Sequence, residues 1–436
     1  MNLNNCRFFL LLLLPFASFC QENGKLVLSL EEAETIFLRE NLQLLAERLE
    51  IPKAEAEKLQ AKVWPNPSLE IDEVNLWTTA YQKRTGEQLP GLFGSDSFGR
   101  FRQISAQISQ LFETAGKRRK RMELADVSAE MAQSYLEDFL SSLKTEFRKT
   151  VFSFHFHERY SDMLERQLTS LENIVNAYQH QYDAGNVNKA ELIRLQASLF
   201  SIKDDLIEER KTINKLTKEL VVLLNFPDNT PLSFRDVYST DFKYQLPFNY
   251  TLDYLQEQAI LNRPDLIYSK LEVKHSQKEL ALEKARAVPD VEFSVGYDRG
   301  GNILQDFIGV GASIDLPFFD RNKGNIKKAE RAVEQQNFLN QNKLLEVKEE
   351  VRQHYKNVLE AAGFFETINV EYTQDLDTVM NAYTEYFKLQ SINIITYMDF
   401  LESYIDTKKT ILENQQEYLD DLEDLKYSTG IEIENP

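Results

Sequence analysis

Two segments of the 436-residue chain carry the same pattern, and Asn381 in the second follows Asn176 in the first by 205 residues. They read NAYQHQYDAGNVNKAEL and NAYTEYFKLQSINIITY. Each reads as the end of one helix, a short turn and the start of another helix. Duplication over a long period constrains a fold strongly, because each copy must build the same unit. We therefore expect two similar helical hairpins.

The helix after each turn has the spacing of a coiled coil. Apolar residues follow Leu192 at alternating steps of three and four as far as Leu223, with one gap at Glu209. The register shifted by 205 residues gives a more polar seam from Tyr397 to Leu425. Heptad spacing over several repeats indicates helices supercoiled around partners. Amphipathic core helices of a compact bundle are the alternative interpretation.

Long helices are also expected before each turn. Residues 116–182 and 323–388 contain no proline. At 1.5 Å rise per residue, each stretch would be on the order of 100 Å long. Hairpins of that length cannot fold into one globule, so we expect long antiparallel columns.

Before each hairpin, the sequence pattern changes to an alternation of apolar and polar residues. It predicts strands near residues 67–74 and 101–111 in the first half, and near 290–298 and 307–316 in the second. One apolar and one polar face over about ten residues is typical of a membrane strand between lipid and lumen. A half-buried sheet of a soluble protein would show the same alternation.

The two halves therefore run in the same order of helix, two strands and helical hairpin. We assign residues 21–225 to a first repeat and 251–430 to a second, with a proline-containing linker at 226–250 and a tail at 431–436. The opening helices are expected over about residues 30–63 and 252–288. Pro264 should kink or restart the second of them.

The N-terminus has the three-part pattern of a secretory signal. Arg7 precedes an apolar run over residues 8–14, and small residues follow before Cys20. We expect residues 1–20 to be a signal peptide. Cys20 is a candidate for lipidation, although Phe19 before it fits such processing poorly, and simple cleavage is the alternative. No later segment has the roughly 20 apolar residues that a spanning helix needs.

Composition and motifs argue against several classes of function. The net charge of −19 argues against a nucleic-acid partner. His155 and His157 point to different sides of a helix, so no metal site is expected. Gly309-Val310-Gly311 lacks the context of a dinucleotide loop. We predict neither a cofactor nor an enzyme site. The basic run from Lys117 to Arg121 could contact lipid phosphates or form a solvated turn.

The strand count has its own consequence for assembly. Four strands cannot close a barrel, and open sheet edges are not tolerated in lipid. If these strands lie in a membrane, two or more copies of the chain must combine. A barrel joined to long helical hairpins would form a conduit.

Several motifs, in matching order in the two halves, give the chain a family resemblance. They are Gly116-Lys117-Arg118-Arg119, Asn262-Arg263-Pro264-Asp265-Leu266, Val288-Pro289-Asp290-Val291 and Leu316-Pro317-Phe318-Phe319-Asp320 followed by Gly324. With the duplicated hairpins, they make the chain resemble the TolC-type outer membrane efflux proteins of Gram-negative bacteria over essentially the whole mature sequence.

The resemblance implies a mainly α fold with a membrane β part. In such a homotrimer, four strands per chain contribute to a 12-stranded β-barrel in the outer membrane, and the hairpins form an α-helical barrel in the periplasm. It also implies a periplasmic adaptor and an inner-membrane pump of the RND or ABC type as partners. The expected function is an exit duct for tripartite efflux or type I secretion. A secreted or periplasmic coiled-coil structural or adhesive protein is the alternative.

Candidate site residues also follow from the resemblance. The two turns are expected to lie at the periplasmic tip, where the adaptor docks and the closed channel constricts. They comprise Gly185, Asn186, Val187 and Asn188, and Gln390, Ser391, Ile392 and Asn393. Asp399 matches an acidic position of the family's constriction, and the second such position is occupied by Thr396. A solvated helix face is the alternative for Asp399.

Overall fold

The structure is a computed structural model. It describes residues 21–22, 25–75, 84, 103–227, 230–235, 237, 250–299, 307–366 and 370–433. The expected signal peptide with Cys20, the connection between the first two large strands, most of the 226–250 linker and the end of the tail lie outside the described residues.

Long helices dominate the described residues. They are α1 (Leu30–Glu40), α2 (Leu42–Glu47), α3 (Glu50–Ala61), α4 (Lys117–Asp183), α5 (Lys189–Leu224), α6 (Leu252–Asn262), α7 (Pro264–Arg286), α8 (Lys323–Glu366), α9 (Val370–Lys388) and α10 (Ile394–Thr429). The strands are β1 (Gln21–Glu22), β2 (Lys25–Ser29), β3 (Ser68–Asn75), β4 (Gln103–Phe112), β5 (Leu232–Arg235), β6 (Val291–Arg299) and β7 (Phe307–Ile314). Every one of these helices is too short or too polar to cross a lipid bilayer.

Contacts between residues divide the chain into two compact units. Unit 1 comprises Met1–Glu47, Glu137–Arg263 and Glu346–Pro436. Unit 2 comprises Arg48–Leu136 and Pro264–Leu345.

In unit 1, the second helices of the two hairpins have the same length and begin and end at equivalent positions. Both α5 and α10 have 36 residues, and both begin after an asparagine N-cap whose side chain accepts a backbone N–H. Both end at a left-handed residue, Asn225 after α5 and Gly430 after α10. The two C-caps are again 205 residues apart, so the sequence register and the helix ends coincide.

The opening helix of each half has a one-residue break, and that of the first half is broken again at residues 48–49, between α2 and α3. Asn41 separates α1 from α2, and its Nδ2 donates a hydrogen bond to the Leu223 carbonyl at 2.9 Å. Arg263 separates α6 from α7, and its Nη1 donates to the Ser428 carbonyl at 3.3 Å. The break before Pro264 agrees with the sequence, whereas the expectation of a continuous helix over residues 30–63 is wrong. No proline marks that break, and Asn41 instead caps α2 by accepting the Leu44 N–H.

A small sheet in unit 1 was not predicted. Its order is β1-β2-β5, with β1 and β2 antiparallel and β2 and β5 parallel. Leu28, Leu232 and Phe234 bury their side chains in it. Strand β5 lies in the expected linker, so residues 232–235 are part of the folded unit and not only a connection.

Unit 2 contains a four-stranded antiparallel sheet in the order β3-β4-β6-β7. Strands β4 and β6 form the central pair, which joins the two halves of the sequence. Strands β3 and β7 are the two edges within the described residues. All four strands agree with the sequence alternation to within a few residues.

Candidate functional site

The two turns between the hairpin helices have the same backbone geometry. Gly185 and Gln390 occupy the left-handed region, with φ of 78° and 56°. The Asn186 N–H donates to the Gln181 carbonyl at 2.9 Å, and the Ser391 N–H donates to the Tyr386 carbonyl at 2.8 Å. These 6→1 hydrogen bonds define a Schellman motif at the end of each first helix. Glycine adopts this conformation readily, whereas Gln390 is held in it by the surrounding structure.

Most of the predicted turn residues are accessible. Val187 and Ile392 are half-buried, and the other six are exposed. Asn188 Oδ1 accepts the Glu191 N–H at 2.9 Å, and Asn393 Oδ1 accepts the Thr396 N–H at 3.0 Å. Asn188 and Asn393 therefore cap the helix that follows each turn. The remaining polar side chains face solvent in the single chain.

Asp399 and Thr396 lie on the first turns of α10. Both are exposed in the single chain. The Thr396 hydroxyl donates to Asn393 Oδ1 at 3.2 Å, so it belongs to the cap of the helix. The structure thus places the Asp399 carboxylate and the hydrogen-bonded Thr396 hydroxyl near the second turn.

An aromatic stack lies behind the turns and links the hairpins. Phe387 of α9 stacks on Tyr178 of α4 with 5.3 Å between ring centroids, and on Tyr397 of α10 with 4.6 Å. Phe387 and Tyr397 are fully buried. This cluster includes seam residues of both hairpins, such as Leu195 and Tyr404. The turns are therefore anchored by a shared apolar core.

A polar contact within the second hairpin was missed from the sequence. The Tyr404 hydroxyl donates to Asp377 Oδ1 at 2.7 Å, and Lys408 Nζ lies 2.8 Å from the same oxygen. Burial raises the pKa of Tyr404, and the hydrogen bond to Asp377 adds to the effect. The contact fixes α9 against α10 about two turns beyond Asp399. Its partners are 27 residues apart, and a heptad pattern does not reveal such a pair.

The other candidate site is the apolar face of the unit 2 sheet. Apolar residues form rows in register across all four strands: one row is Leu69, Ile108, Val295 and Val310, and the next is Ile71, Ala106, Tyr297 and Ile308. All four members of the first row are exposed, with Val310 at 86%. Such a continuous exposed apolar surface marks an interaction site or a lipid contact.

The opposite face of this sheet is polar and contains small residues. One row is Ser68, Ser109, Ser294 and Gly311, and the next is Glu70, Gln107, Gly296 and Gly309. A Cβ on Gly311 would lie only 2.7 Å from Ser294 Oγ, so this position needs glycine unless the serine moves. Among the described strand residues, no Lys or Arg stands on this face.

The predicted basic run has a structural component. Lys117 Nζ lies 2.7 Å from Asp290 Oδ1 and donates to the Val288 carbonyl at 2.6 Å. Arg121 forms a bidentate pair with Glu113 at 2.6 and 3.0 Å. These contacts hold the start of α4 against the strand ends, so Lys117 and Arg121 are not free surface charges.

His155 and His157, at which no metal site is expected, have different surroundings. His157 Nδ1 lies 2.6 Å from Glu209 Oε2. Burial lowers the pKa of His155 to about 4, and the charge of Arg159 acts in the same direction. Within the described part of the chain, no group of three His, Cys, Asp or Glu residues is arranged to hold a metal ion.

The half-buried Asp420 on α10, whose Oδ1 is buried, predicts a pH-dependent stability. Burial raises the pKa of Asp420 to about 6, while Lys149 and a hydrogen bond from Gln416 oppose the shift. The unfolded value is about 3.9. Because the native state holds this proton more tightly, the free energy of unfolding falls as pH rises from about 4 to 6. We expect Asp420→Asn to be more stable than the wild type at pH 7.5 by roughly 2 kcal/mol, and equal to it near pH 4.

Denaturant or thermal unfolding at both pH values measures this difference. The exposed Asp406→Asn is the matched control on the same helix, and should leave the profile unchanged. A gain in stability at pH 4 as large as that at pH 7.5 would refute the titration of Asp420 as the cause.

Comparisons with known proteins agree with this architecture. The family model described as "Outer membrane efflux protein" matches residues 36–225 and 255–430. The chain is 23% identical to the cobalt-zinc-cadmium resistance protein CzcC of Cupriavidus metallidurans over 304 residues, which span 70% of this chain and 66% of CzcC.

Two solved structures show a similar fold. The outer-membrane channel OprN matches with a TM-score of 0.72 at 13% identity, covering 93% of this chain and 90% of OprN. The outer membrane protein VceC of Vibrio cholerae matches with a TM-score of 0.71 at 14% identity, covering 93% of this chain and 96% of VceC. At these identities the likeness concerns the fold alone.

Proposed function

Because the chain belongs to the outer membrane efflux protein family, we propose that it is the exit duct of a tripartite efflux system. Its location is the outer membrane. In this proposal it receives substrates from an inner-membrane pump of the RND or ABC type through a periplasmic adaptor. A type I secretion system would use the same duct.

The observation that carries the proposal is the four-stranded sheet, which has one exposed apolar face and two edges that no described residue pairs with. In lipid, unpaired backbone groups at β3 and β7 would be very unfavourable. Each neighbouring pair in the order β3-β4-β6-β7 is antiparallel, so β7 runs opposite to β3 of the same chain. In a ring of copies related by rotation, β7 would therefore also run antiparallel to β3 of the next copy. Three copies would close a twelve-stranded barrel, with the Val310 row facing lipid and the Gly309 row facing the lumen.

The matched hairpins support the proposed helical tube that continues from the barrel. Two hairpins with equal second helices and equal turns, each supplied three times, would give a tube of nearly sixfold symmetry. We propose that its periplasmic tip is formed by the turns at Gly185 and Gln390. Accessible residues at these turns would contact the adaptor, while the buried Phe387 stack keeps the turns in place.

The proposal is tested on the purified mature protein. We expect extraction only with detergent, a particle mass of three chains, and ion conductance after addition to planar bilayers. A monomer that stays soluble without detergent would contradict the proposal and support the coiled-coil structural alternative. Because the relative CzcC is described as a cobalt, zinc and cadmium resistance protein, divalent cations are the first substrate class to include in these recordings.

The same recordings test Asp399 as an aperture residue. Three copies of this carboxylate would concentrate negative potential at the constriction and favour cations. We expect Asp399→Asn to lower the cation-to-anion permeability ratio by roughly sevenfold, because about one kT of local potential changes the cation and anion concentrations by roughly 2.7-fold each in opposite directions. The exposed Glu208→Gln on α5 is the charge-matched control. Equal selectivity of wild type and Asp399→Asn would leave Asp399 as a solvated surface residue.

A further inference from the structure

One end of the unit 2 sheet has a charge opposite to that of the whole chain. The register places four segments at this end, because Ser68 pairs with Ser109, and Val291 pairs with both Phe112 and Ile314. The segments are residues 62–67, 113–121, 286–290 and 315–328. They contain eleven Lys or Arg and four Asp or Glu, whereas the chain carries a net charge of −19. Positive charge is therefore concentrated where the strands end.

Much of this charge is not neutralised by the protein. Among the described residues, no carboxylate lies within 4.0 Å of Lys323, Lys327 or Lys328, and all three are exposed. Arg119 is also exposed and reaches Glu123 only at 3.6 Å. We call these four residues the basic girdle.

The helix dipoles increase the local positive potential. The basic girdle lies at the N-termini of α4 and α8, where the first turns contain no acidic residue. The N-terminal end of a helix carries a partial positive charge and normally favours Asp or Glu. Cations at this position are therefore unfavourable unless an external anion compensates them.

Exposed aromatic side chains accompany the basic girdle. Trp64 precedes β3, and Phe318 and Phe319 follow β7; all three are exposed. The Arg118 guanidinium lies 4.7 Å from the centroid of the Trp64 ring. Aromatic rings are typical of the level where the hydrocarbon of a bilayer meets the headgroups.

We propose that the basic girdle binds the anionic headgroups of phospholipids in the leaflet on the helical side of the sheet. The inference rests on the proposed membrane position of the strands and adds the chemistry of the lipid. Phosphates of lipids with a net negative charge neutralise the lysines, while Trp64, Phe318 and Phe319 sit among the glycerol and upper acyl groups. Zwitterionic lipids carry their own cation and neutralise the girdle less.

The test measures lipid binding to the full-length mature oligomer in neutral detergent by native mass spectrometry. Short-chain phosphatidylglycerol, short-chain phosphatidylcholine and inorganic phosphate are titrated separately. We expect the phosphatidylglycerol to bind at least about tenfold more tightly than the phosphatidylcholine. We expect Lys327→Gln combined with Lys328→Gln to weaken phosphatidylglycerol binding about tenfold and to leave phosphatidylcholine binding unchanged.

The matched control is Lys211→Gln combined with Lys215→Gln, which removes two exposed lysines from α5. It should bind both lipids like the wild type. Equal binding of the two lipids, or no effect of the girdle substitutions, would overturn the inference. Inorganic phosphate that binds as tightly as phosphatidylglycerol would also overturn it and indicate a free-phosphate site. Because conductance is measured separately, a conducting trimer without lipid preference refutes only this inference.

Discussion

Val310→Lys is expected to abolish stable insertion of the protein into membranes. Val310 lies in the middle of β7, pairs with Val295, and is 86% exposed in the single chain. If its face contacts lipid, a lysine near the bilayer centre costs ~2–4 kcal/mol in each copy. Three copies place three such charges in the hydrocarbon. We expect the yield of detergent-extracted trimer to fall at least about tenfold, as measured by membrane fractionation and size-exclusion chromatography.

Ser313→Lys provides a control on the same strand. Ser313 pairs with Glu292 and belongs to the polar face, so its lysine would face the proposed lumen. This variant should assemble like the wild type, and its conductance should become less selective for cations. Wild-type assembly of Val310→Lys, or equal loss in both variants, would mean that the Val310 face does not contact lipid.

The sheet could be predicted because its strands obey a local rule. Alternation of period two assigned Val295 and Val310 to the same face without knowledge of their pairing, and the register then put them side by side. The order β3-β4-β6-β7 follows less directly. The central pair joins residues almost 190 positions apart, and no single-strand pattern encodes such a contact.

The hairpin ends were predictable for a similar reason. Heptads and turn residues are local signals, and the duplication set both turns in register. The sequence did not predict which residues of each seam are buried. Leu224, and not the expected Leu223, is fully buried at the end of α5. Tyr397 and Tyr418 are fully buried although their seam reads as more polar, and Tyr397 stacks on Phe387 of the neighbouring helix.

Features that depend on distant partners escaped the sequence reading. Strand β5 is only four residues long and is held by β2, about 200 positions earlier. The break at Asn41 depends on the Leu223 carbonyl, which has no local signature. The family resemblance is confirmed by the match over both halves, yet it did not reveal either feature. Where the chain uses local periodicity, sequence suffices; where one polar side chain meets a remote carbonyl, it does not.

Phe387→Ala is expected to loosen the tip of both hairpins. The ring is 2% exposed and lies between Tyr178 and Tyr397, so its removal leaves a cavity and two unstacked rings. Such truncations of a buried phenylalanine cost about 3–5 kcal/mol. We expect a lower thermal midpoint by circular dichroism. Trypsin cleavage after Lys189 and Lys388, which flank the turns, should accelerate about tenfold or more, since 1.4 kcal/mol of local destabilisation already gives that factor.

Tyr386→Ala is the matched control for this prediction. Tyr386 neighbours Phe387 on the same helix but is 51% exposed, so its truncation should change stability by less than about 0.5 kcal/mol. If both variants were cleaved at the wild-type rate, the stack would not hold the turns. If Phe387→Ala loosens the tip and also raises basal conductance in planar bilayers, the aromatic core keeps the proposed aperture closed. In that case the packing between hairpins, in addition to the charge of Asp399, controls passage through the tip.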